Sequence, residues 1–526
     1  MATTKQRKHK KKKFATGDCE TDPFMVGRLP KPFIWGFYDG KEYFSTTSIE
    51  SYVDHIKNFN GYIYFHNGGK FDFHYLLHHI APDTTLRIIN GRLGEFKLGK
   101  ATLRDSFLLL HSPLSAFSKQ EFDYHKLEEQ CRSDNMEEIE EYLKSDCVNL
   151  YNFLDAFFKE YPCKLTIASA ALDIWQREMK GRIDETNKSY YDLFYPFYYG
   201  GRCEVFRPGI FHTPINVYDI NSAYPYAMIH NHPAGKEYII SRKILPEHLE
   251  KSFVHCVAES HGALPLRKKD GGVHFPHGEQ EFFVTGWEIK AGLETGTLKI
   301  KKVIRCIIFK ETVNYVNYVN HFYALKKRMK EEKDKARELF AKYFLNSLYG
   351  KMAANPENYG EYKLIEFGTK PPDGWIYDIH LGELQLITRP VPESISKYYN
   401  VATAASITGF VRAYLWRTIK KCGDVFYCDT DSMFTSKTVP TSKELGGWSH
   451  EFTGNSSGFA GKKLYAIIGP NGEEKKASKG ARLTTDEIFL VANGGTVFYN
   501  PSVPTYSIKN GIGFIGRKIR STIEDI

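Results

Sequence analysis

The sequence predicts a multi-domain α/β protein, and three observations support this fold class. The chain has 526 residues, which is more than one hydrophobic core usually serves. Segments with the pattern of strands alternate along the chain with segments of helical periodicity. Several apolar strand segments also carry acids, as in YCDTDS at 427–432. Because an isolated buried carboxylate is costly, these segments predict functional sites as well as strands.

Composition and charge exclude several classes of protein. Of the net charge of +9, seven positive charges lie in the first thirteen residues, so the rest of the chain carries only +2. We expect residues 1–14 to form a disordered basic tail that attracts polyanions. No apolar run approaches the length of a membrane helix, and the N-terminus lacks the apolar core of a signal peptide. No membrane partner is therefore expected. The nine cysteines form no C-x-x-C pair, which argues against a zinc knuckle and a disulfide scaffold and favours a reducing compartment such as the cytoplasm.

The first 160 residues follow the order of an α/β nuclease-like unit. FATGDCETD reads as a strand, GYIYFHNGGKFDFHYLL as strand, turn and helix, and MEEIEEYLKSDCVNLYNFLDAFFKEY as a long amphipathic helix. These elements carry four acids: Asp18, Glu20, Asp72 and Asp146.

The spacing of these acids predicts a metal site. Asp18 and Glu20 are two residues apart on a strand and point to one face, while Tyr142 and Asp146 share a helix face. Converging carboxylates repel one another, and their natural partner is a pair of divalent ions that activates water for phosphodiester hydrolysis. The alternative is a set of surface acids that never meet.

The rest of the chain contains a second group of acids on apolar strands. INVYDINSAYPYAMI reads as a strand that ends in a turn or helix, and DVFYCDTDSMFTS as a strand pair. Asp219, Asp429 and Asp431 lie on these segments, and the same two-metal reasoning applies to nucleotidyl transfer.

Between these strands the chain is predicted to be mainly helical. Residues 317–353 read as one long helical stretch with a basic face, 357–390 as a hairpin insert, and VATAASITGFVRAYLWRTIKK as a helix. Lys342, Asn346 and Tyr349 fall on one helix face and could present lysine to a triphosphate and tyrosine to a base. An ordinary amphipathic surface is the alternative.

Six motifs in order carry a family resemblance. DINSAYP, KYFLNSLYG and YCDTDS resemble the three polymerase motifs of family B DNA polymerases. DCETD, FHNGGKFD and YLKSD resemble the three motifs of their 3′→5′ proofreading exonuclease. The length and YYGGR at 198–202 resemble the protein-primed subgroup, which copies linear viral or plasmid genomes from a terminal protein, and its tectivirus phage members most. The resemblance covers nearly all of the chain after the tail.

The resemblance implies an RNase H-like 3′→5′ exonuclease domain followed by a right-hand polymerase domain with two protein-priming insertions. Its implied boundaries are exonuclease 15–160, palm 161–229, insertion 230–318, fingers 319–354, β-hairpin insertion 355–395, palm 396–485 and thumb 486–526. The hairpin is expected to close over DNA and encircle the template.

The resemblance also assigns polymerase roles to individual residues. Asp219 and Asp431 would be the metal ligands, assisted by Asp429. The implied nucleotide-binding residues are Tyr224, which would exclude a 2′-hydroxyl, together with Ser222, Lys342, Asn346 and Tyr349. The implied DNA contacts near this site are Tyr198, Gly200, Gly201, Lys463 and Tyr465.

In the exonuclease, the resemblance makes Asp18, Glu20, Asp72 and Asp146 the metal ligands. Tyr142 would orient the attacking water, and Lys119 resembles the auxiliary catalytic lysine. The residues expected to grip the frayed primer end are His66, Asn67, Phe71, Ser106, Phe107 and Tyr124.

Two departures from the family pattern stand out. HNGGKFD has one residue more than the better-known form of this motif, so its loop differs. Glu338 stands one turn before Lys342, where a second lysine could bind phosphate, and Arg337, Lys335 and Lys327 are the candidates to replace it.

The function implied is DNA-directed DNA polymerisation of a linear viral genome from a protein primer, with proofreading and strand displacement, in the host cytoplasm. Mg²⁺ is the expected cofactor, two ions per site, with Mn²⁺ able to substitute. Template and primer DNA, dNTPs, a terminal protein and a single-stranded DNA-binding protein are the expected partners. The alternatives are a primer-independent family B polymerase, a stand-alone exonuclease and a non-catalytic replication scaffold.

Overall fold

The computed structural model describes residues 13–114, 121–356, 359–391, 397–508 and 510–521. Lys119 and most of the basic tail lie outside these ranges. Over the described ranges, no helix combines the length and the apolar character needed to cross a membrane.

The N-terminal unit has the predicted alternation of strands and helices. Its strands are β1 (Phe14–Thr21), β2 (Pro32–Tyr38), β3 (Tyr43–Thr46), β4 (Tyr62–Phe65), β5 (Thr85–Ile89), β6 (Arg92–Leu98) and β7 (Ala101–Asp105). Its helices are α1 (Ile49–Ile56), α2 (Asp72–Leu76) and α3 (Arg132–Glu160). β4 runs parallel to β1 and β7, and α3 packs on β1 and β2 because its apolar stripe, including Leu143 and Cys147, is fully buried. The predicted strand-turn-helix and the long helix are confirmed.

The middle of the chain forms most of a second unit of helices and sheets. Its helices are α4 (Ile167–Asp173), α5 (Lys188–Phe194), α6 (Ala223–Met228) and α7 (Gly286–Glu294). Its strands are β8 (Glu185–Thr186), β9 (Cys203–Val205), β10 (Gly209–Phe211), β11 (Ile215–Ile220), β12 (His232–Ser241), β13 (Ser252–His261), β14 (Leu266–Arg267), β15 (Val273–His274), β16 (His277–Thr285) and β17 (Leu298–Val313). Strands β12, β17, β13 and β16 form an antiparallel sheet in that order within the region predicted as the first insertion.

The stretch predicted as one helix over 317–353 is two antiparallel helices, α8 (Val316–Glu331) and α9 (Lys335–Met352). The chain turns at Lys333, whose φ of 59° is left-handed, and the Asp334 side chain caps α9 by accepting from the Arg337 backbone N–H at 3.0 Å. Periodicity does not register such a break, because charged residues fill both the turn and the exposed helix faces.

The predicted hairpin insert consists of three antiparallel strands, β18 (Gly360–Glu366), β19 (Ile376–Leu381) and β20 (Leu384–Pro390). β18 also pairs with β5 of the N-terminal unit, with Tyr362 opposite Leu86. The result is one ten-stranded sheet in the order β19-β20-β18-β5-β6-β7-β4-β1-β2-β3. Insert and N-terminal unit therefore share a backbone hydrogen-bond network, which the sequence did not predict.

The C-terminal part completes the second unit. Its elements are β21 (Tyr398–Tyr399), α10 (Val401–Cys422), β22 (Val425–Asp429), β23 (Ser432–Thr435), β24 (Trp448–Gly454), β25 (Ser456–Gly461), β26 (Leu464–Ile468), β27 (Glu474–Ser478), α11 (Thr485–Ala492), β28 (Val497–Tyr499), β29 (Thr505–Ser507), β30 (Gly511–Gly513) and β31 (Arg517–Ile519). Strands β24, β11, β23, β22 and β9 form a five-stranded sheet in that order. The predicted α10 helix and β22–β23 pair are confirmed.

Candidate active sites

The first site lies where β11 meets the β22–β23 hairpin. β11 and β23 are antiparallel neighbours with Asp219 opposite Ser432, and the Ile220 backbone N–H donates to the Asp431 carbonyl at 2.8 Å. Sheet pairing thus brings together two acids that are about 210 residues apart in sequence.

The electrostatics of this pair favour a cation. Burial, and next the neighbouring Asp431 carboxylate, raises the pKa of Asp219 to about 7. Burial, together with the carboxylates of Asp429 and Glu451, raises the pKa of Asp431 to about 6. Neither Asp219 nor Asp431 forms an ion pair within the part of the chain that the structure describes.

Asp429 differs from Asp431 in having a cationic partner. The Lys463 ammonium donates to both Asp429 carboxylate oxygens, at 2.7 and 2.6 Å. Thr430, between the two acids, is in the left-handed region with φ 61°, and its hydroxyl donates to Asp429 at 3.1 Å. Lys463 forms an ion pair with Asp429 and none with Asp431 in the described structure, so the two carboxylates are not equivalent.

Lys463 and Tyr465 were predicted to hold the primer terminus. In the structure Lys463 contacts Asp429, and the Tyr465 ring is only 9% exposed. That ring packs against Tyr427 and Phe434, with centroids 5.0 and 4.9 Å away. The contact of both residues with a primer stays a prediction.

A tyrosine pair lies near Asp431. The rings of Tyr224, in the first turn of α6, and Tyr349, on α9, stack with centroids 4.4 Å apart and planes 3° apart. Lys342 and Asn346 are exposed on α9, as the predicted spacing requires. Ser222 precedes α6 in a left-handed conformation with φ 53°.

Two basic residues near Lys342, Arg337 and Lys326, differ in their suitability as a second phosphate-binding cation. Arg337 is engaged with Glu160 and Asp334, at 2.5 and 3.2 Å. Lys326 on α8 was not predicted, yet burial and then the charge of Lys342 lower its pKa, so the two ammonium groups lie close together.

Gly201 of YYGGR lies against the turn between β22 and β23. A Cβ on Gly201 would be 2.7 Å from Thr430 Cγ2, whereas a Cβ on Gly200 would meet nothing within 4 Å. The carbonyl of Tyr198 accepts from Arg267 at 2.6 Å, and the carbonyl of Gly200 from Arg412 at 2.8 Å. Glycine is required at position 201 because the backbone there approaches Thr430 closely, and this contact is within the protein.

The second site is the predicted cluster of acids in the N-terminal unit. Carboxylate oxygens of Asp18, Glu20 and Asp146 lie within 4.8 Å of one another, Asp18 and Glu20 coming from β1 and Asp146 from α3. Asp72 begins α2 and is 1% exposed, and its Oδ1 has no hydrogen-bond partner in the described structure. An orphaned buried oxygen beside three carboxylates fits a site for hard divalent cations.

The pKa shifts of this cluster all have the same direction. Burial, followed by the charges of neighbouring carboxylates, raises the pKa of Asp18 well above its usual value and that of Glu20 to about 8. Burial also raises the pKa of Asp72 to about 7 and of Asp146 to about 6. The Tyr142 hydroxyl donates to Asp146, which partly offsets this effect of burial. The Tyr124 hydroxyl lies 3.4 Å from that of Tyr142, and Tyr124 is 59% exposed.

Four of the six predicted primer-gripping residues are connected through their side chains: His66, Asn67, Ser106 and Phe107. A His66 ring nitrogen lies 3.0 Å from Ser106 Oγ, and burial lowers the pKa of His66 to about 4. Arg92 was not predicted, but it donates to Asn67 at 2.7 Å and its guanidinium lies 4.6 Å from the Phe107 ring centroid.

The C-terminal region also reaches this site. The Tyr506 ring lies 5.2 Å from that of Phe71, and its hydroxyl lies 2.8 Å from that of Tyr75. No sequence pattern marks Tyr506, because the contact spans more than 400 residues of chain.

Comparison with known proteins identifies the family. Residues 117–366 match the family described as DNA polymerase type B, organellar and viral. The DNA-directed DNA polymerase of Enterobacteria phage PRD1 is 36% identical, with 98% of this chain and 100% of that protein covered. The chain belongs to the type B DNA polymerases. The predicted family resemblance is thereby confirmed.

More distantly similar proteins are also DNA polymerases. The DNA polymerase of Bacillus phage B103 is 24% identical, with 80% of each chain covered. A crystal structure of Phi29 DNA polymerase matches with a TM-score of 0.75 and 18% identity, covering 97% of this chain and 100% of that one. A complex of that polymerase with primer-template DNA and incoming nucleotide substrates matches with a TM-score of 0.72. The fold is therefore the predicted multi-domain α/β fold of a DNA polymerase.

Glu451 is the clearest acid of this type B polymerase that sequence reasoning missed. It lies on β24, where the pairing with β11 shifts register between Val217 and Tyr218, and its charge raises the pKa of both Asp219 and Asp431. Lys475 pairs with it at 2.6 Å. Alternation along β24 does not reveal its position, because a register shift changes which residues face the acids.

We predict that the acid cluster contributes less to stability without metal as pH rises. The raised pKa values mean that these acids bind more protons in the folded protein than in the unfolded chain between about pH 4 and pH 8, so their contribution to the free energy of unfolding decreases across that window. Thermal denaturation in EDTA should show this decrease, and Mg²⁺ at pH 8 should reverse it. The variant Asp18→Ala with Glu20→Ala should show a smaller effect of both pH and Mg²⁺, and an unchanged response would contradict the assignment of the acid cluster.

Proposed function

We propose that the protein is a DNA-directed DNA polymerase that replicates a linear viral genome from a protein primer, with 3′→5′ proofreading and strand displacement. One observation carries this proposal: two separate carboxylate sites, each with raised pKa values, occupy one chain that has the polymerase fold. A single-activity nuclease would not need the second site.

The polymerase chemistry would use the face between the palm sheet and α9. Asp219 and Asp431 would hold Mg²⁺, with Mn²⁺ as a substitute, and the metal would activate the primer hydroxyl and stabilise the leaving pyrophosphate. The exposed Lys342 would bind the triphosphate, with Lys326 beside it as a second cation. Asn346 would complete the pocket for the nascent base pair.

Tyr224 would be the residue that excludes ribonucleotides. Its ring is fixed by stacking on Tyr349, so it cannot move away from a 2′-hydroxyl without breaking that contact. We expect Tyr224→Val to raise the relative efficiency of ribonucleotide incorporation by on the order of 100-fold or more. Single-nucleotide kinetics with dCTP and CTP would measure it, and unchanged sugar discrimination would rule out this role.

The exonuclease would act at the acid cluster of the N-terminal unit. Asp18, Glu20, Asp72 and Asp146 would hold the cations, and the Tyr142 hydroxyl, already bonded to Asp146, would orient the attacking water. The predicted Lys119 lies outside the described residues, so its role rests on the sequence alone. Phe71, Phe107 and Tyr124 offer aromatic surfaces for unstacked bases of the primer end.

Protein priming would use the same palm site. A hydroxyl of a terminal protein would attack the α-phosphate of the first dNTP, which forms a phosphodiester to the protein and releases pyrophosphate. Within the regions predicted as insertions, 230–318 and 355–395, strands β12, β17, β13 and β16 form one sheet, and strands β18, β19 and β20 extend the sheet of the N-terminal unit. These would hold the priming protein and surround the DNA.

Incubation of the protein with a candidate terminal protein, labelled dNTP and Mg²⁺ or Mn²⁺ tests the priming step. We expect a covalent protein–dNMP product that resists denaturation and is absent with Asp431→Ala. Extension of a DNA primer without any protein adduct would favour a polymerase that does not use protein priming.

A further inference from the structure

We propose that Arg202 is a positioning residue, which together with residues 262–275 fixes the turn that carries the polymerase carboxylates. The inference rests on the proposed role of Asp431. It adds a physical link between a region predicted as a priming insertion and the palm chemistry.

Arg202 contacts the turn through its backbone. Its carbonyl accepts from the Thr430 N–H at 2.6 Å. Thr430 is left-handed, which is unfavourable for a β-branched residue and persists only where the surroundings hold it. Gly201, one residue earlier, leaves no room for a Cβ against Thr430. The position of the Arg202 backbone therefore determines the position of the turn.

The Arg202 side chain is buried and held by two aromatic rings and two hydrogen-bond acceptors. It is 1% exposed, and its guanidinium lies between the rings of Phe275 and Trp416, with centroids 3.9 and 4.1 Å away. Nη1 donates to the Gly262 carbonyl at 2.8 Å, and Nε donates to Glu204 at 2.8 Å. A planar, forked cation satisfies these contacts together, and lysine, with a compact ammonium, cannot.

Two of these four anchors, Gly262 and Phe275, lie at the ends of the 262–275 segment. Near Phe275 the segment makes a second contact, because the Lys462 ammonium donates to the Val273 carbonyl at 2.7 Å. The next residue, Lys463, holds Asp429 through its side chain and donates its backbone N–H to the Tyr427 hydroxyl at 3.0 Å. The segment therefore supports the catalytic turn from both sides.

This arrangement makes the geometry of the palm carboxylates depend on the 262–275 segment. A small displacement of a reacting group is enough to slow a reaction by about 100-fold. Arg202 touches neither Asp219 nor the α9 face with Lys342, so its effect should fall on turnover and not on nucleotide binding.

The test compares Arg202→Lys and Lys462→Met with a matched control, Arg207→Ala. Arg207 pairs with Asp424 at the end of β22 away from the turn, at 2.5 Å, and has no contact with residues 429–431. Three measurements are made on the full chain: dNTP addition kinetics, degradation of a single-stranded oligonucleotide, and deuterium uptake of peptides that span 427–433.

For Arg202→Lys we expect kcat for dNTP addition to fall by about 10- to 100-fold, with the dNTP KM within about threefold. Deuterium uptake over 427–433 should rise, while oligonucleotide degradation stays unchanged. Lys462→Met should show the same pattern to a smaller degree, and Arg207→Ala should behave like the unmodified protein.

Two results would overturn the proposal. The first is an Arg202→Lys variant whose kcat and deuterium uptake equal those of the unmodified protein. The second is an Arg202→Lys variant that loses synthesis and degradation equally and has a lowered unfolding temperature, which would make Arg202 an ordinary core residue. Asp431→Ala is assayed alongside. If Asp431→Ala still extends primers, the proposed polymerase site is wrong. If Asp431→Ala is inactive and Arg202→Lys is normal, only the inference about Arg202 is refuted.

Discussion

Replacement of Asp431 by alanine or asparagine is expected to abolish dNTP incorporation, with a loss on the order of 1,000-fold or more, and to leave single-strand degradation intact. Asp431 is partly buried, and burial with the neighbouring carboxylates of Asp429 and Glu451 raises its pKa to about 6. Asparagine keeps the shape of the turn, since the backbone bonds of Asp431 to Asp429 and Ile220 do not involve its side chain. The loss should therefore come from the missing charge. Primer extension with labelled dNTP measures it.

The matched control for this variant is Asp424→Asn. Asp424 stands just before β22 and pairs with Arg207 instead of facing the palm acids. It should retain synthesis, and Asp431→Asn should be more stable than the unmodified protein in EDTA at pH 8, because a buried charge is removed. Primer extension by Asp431→Asn at the normal rate would show that the polymerase site lies elsewhere.

The double replacement Asp18→Ala with Glu20→Ala is expected to have the opposite effect. Degradation of a 3′ single-stranded end should fall by on the order of 1,000-fold or more, because two of the three clustered carboxylates disappear. Synthesis should continue, with more misincorporated nucleotides retained. A 3′-labelled oligonucleotide without dNTP gives the rate of degradation.

Glu137→Ala with Glu141→Ala serves as the control, since both acids are exposed on α3, outside the cluster. Loss of degradation in this pair, or persistence of degradation in the Asp18 and Glu20 variant, would contradict the proposed nuclease site. Loss of synthesis in the Asp18 and Glu20 variant would instead indicate that the two sites do not work separately.

Local geometry explains why some of the site could be predicted from sequence. Asp18 and Glu20 share a face because side chains alternate along β1, and α9 presents Lys342 and Asn346 together because its spacing is helical. The same two-residue spacing at Asp429 and Asp431 has a different outcome. Thr430 is left-handed there, so one acid meets Lys463 and the other faces Asp219.

Long-range pairing explains what was not predicted. Glu451 reaches Asp219 and Asp431 through a register shift, Tyr506 reaches the N-terminal unit from the far end of the chain, and Arg92 at the start of β6 donates to Asn67 in the turn after β4. None of these contacts has a local period or motif. They arise when distant segments of the chain pack against one another, and a single sequence carries no direct signal of that packing.

The pairing of β18 with β5 has a mechanical consequence. Because these strands share backbone hydrogen bonds, tension applied to the 360–390 strands passes through the sheet as far as β1, which holds Asp18 and Glu20. The insert cannot swing as a separate flap unless those bonds break. If the protein displaces a strand as proposed, the resisting force on the insert would reach the N-terminal unit through these hydrogen bonds.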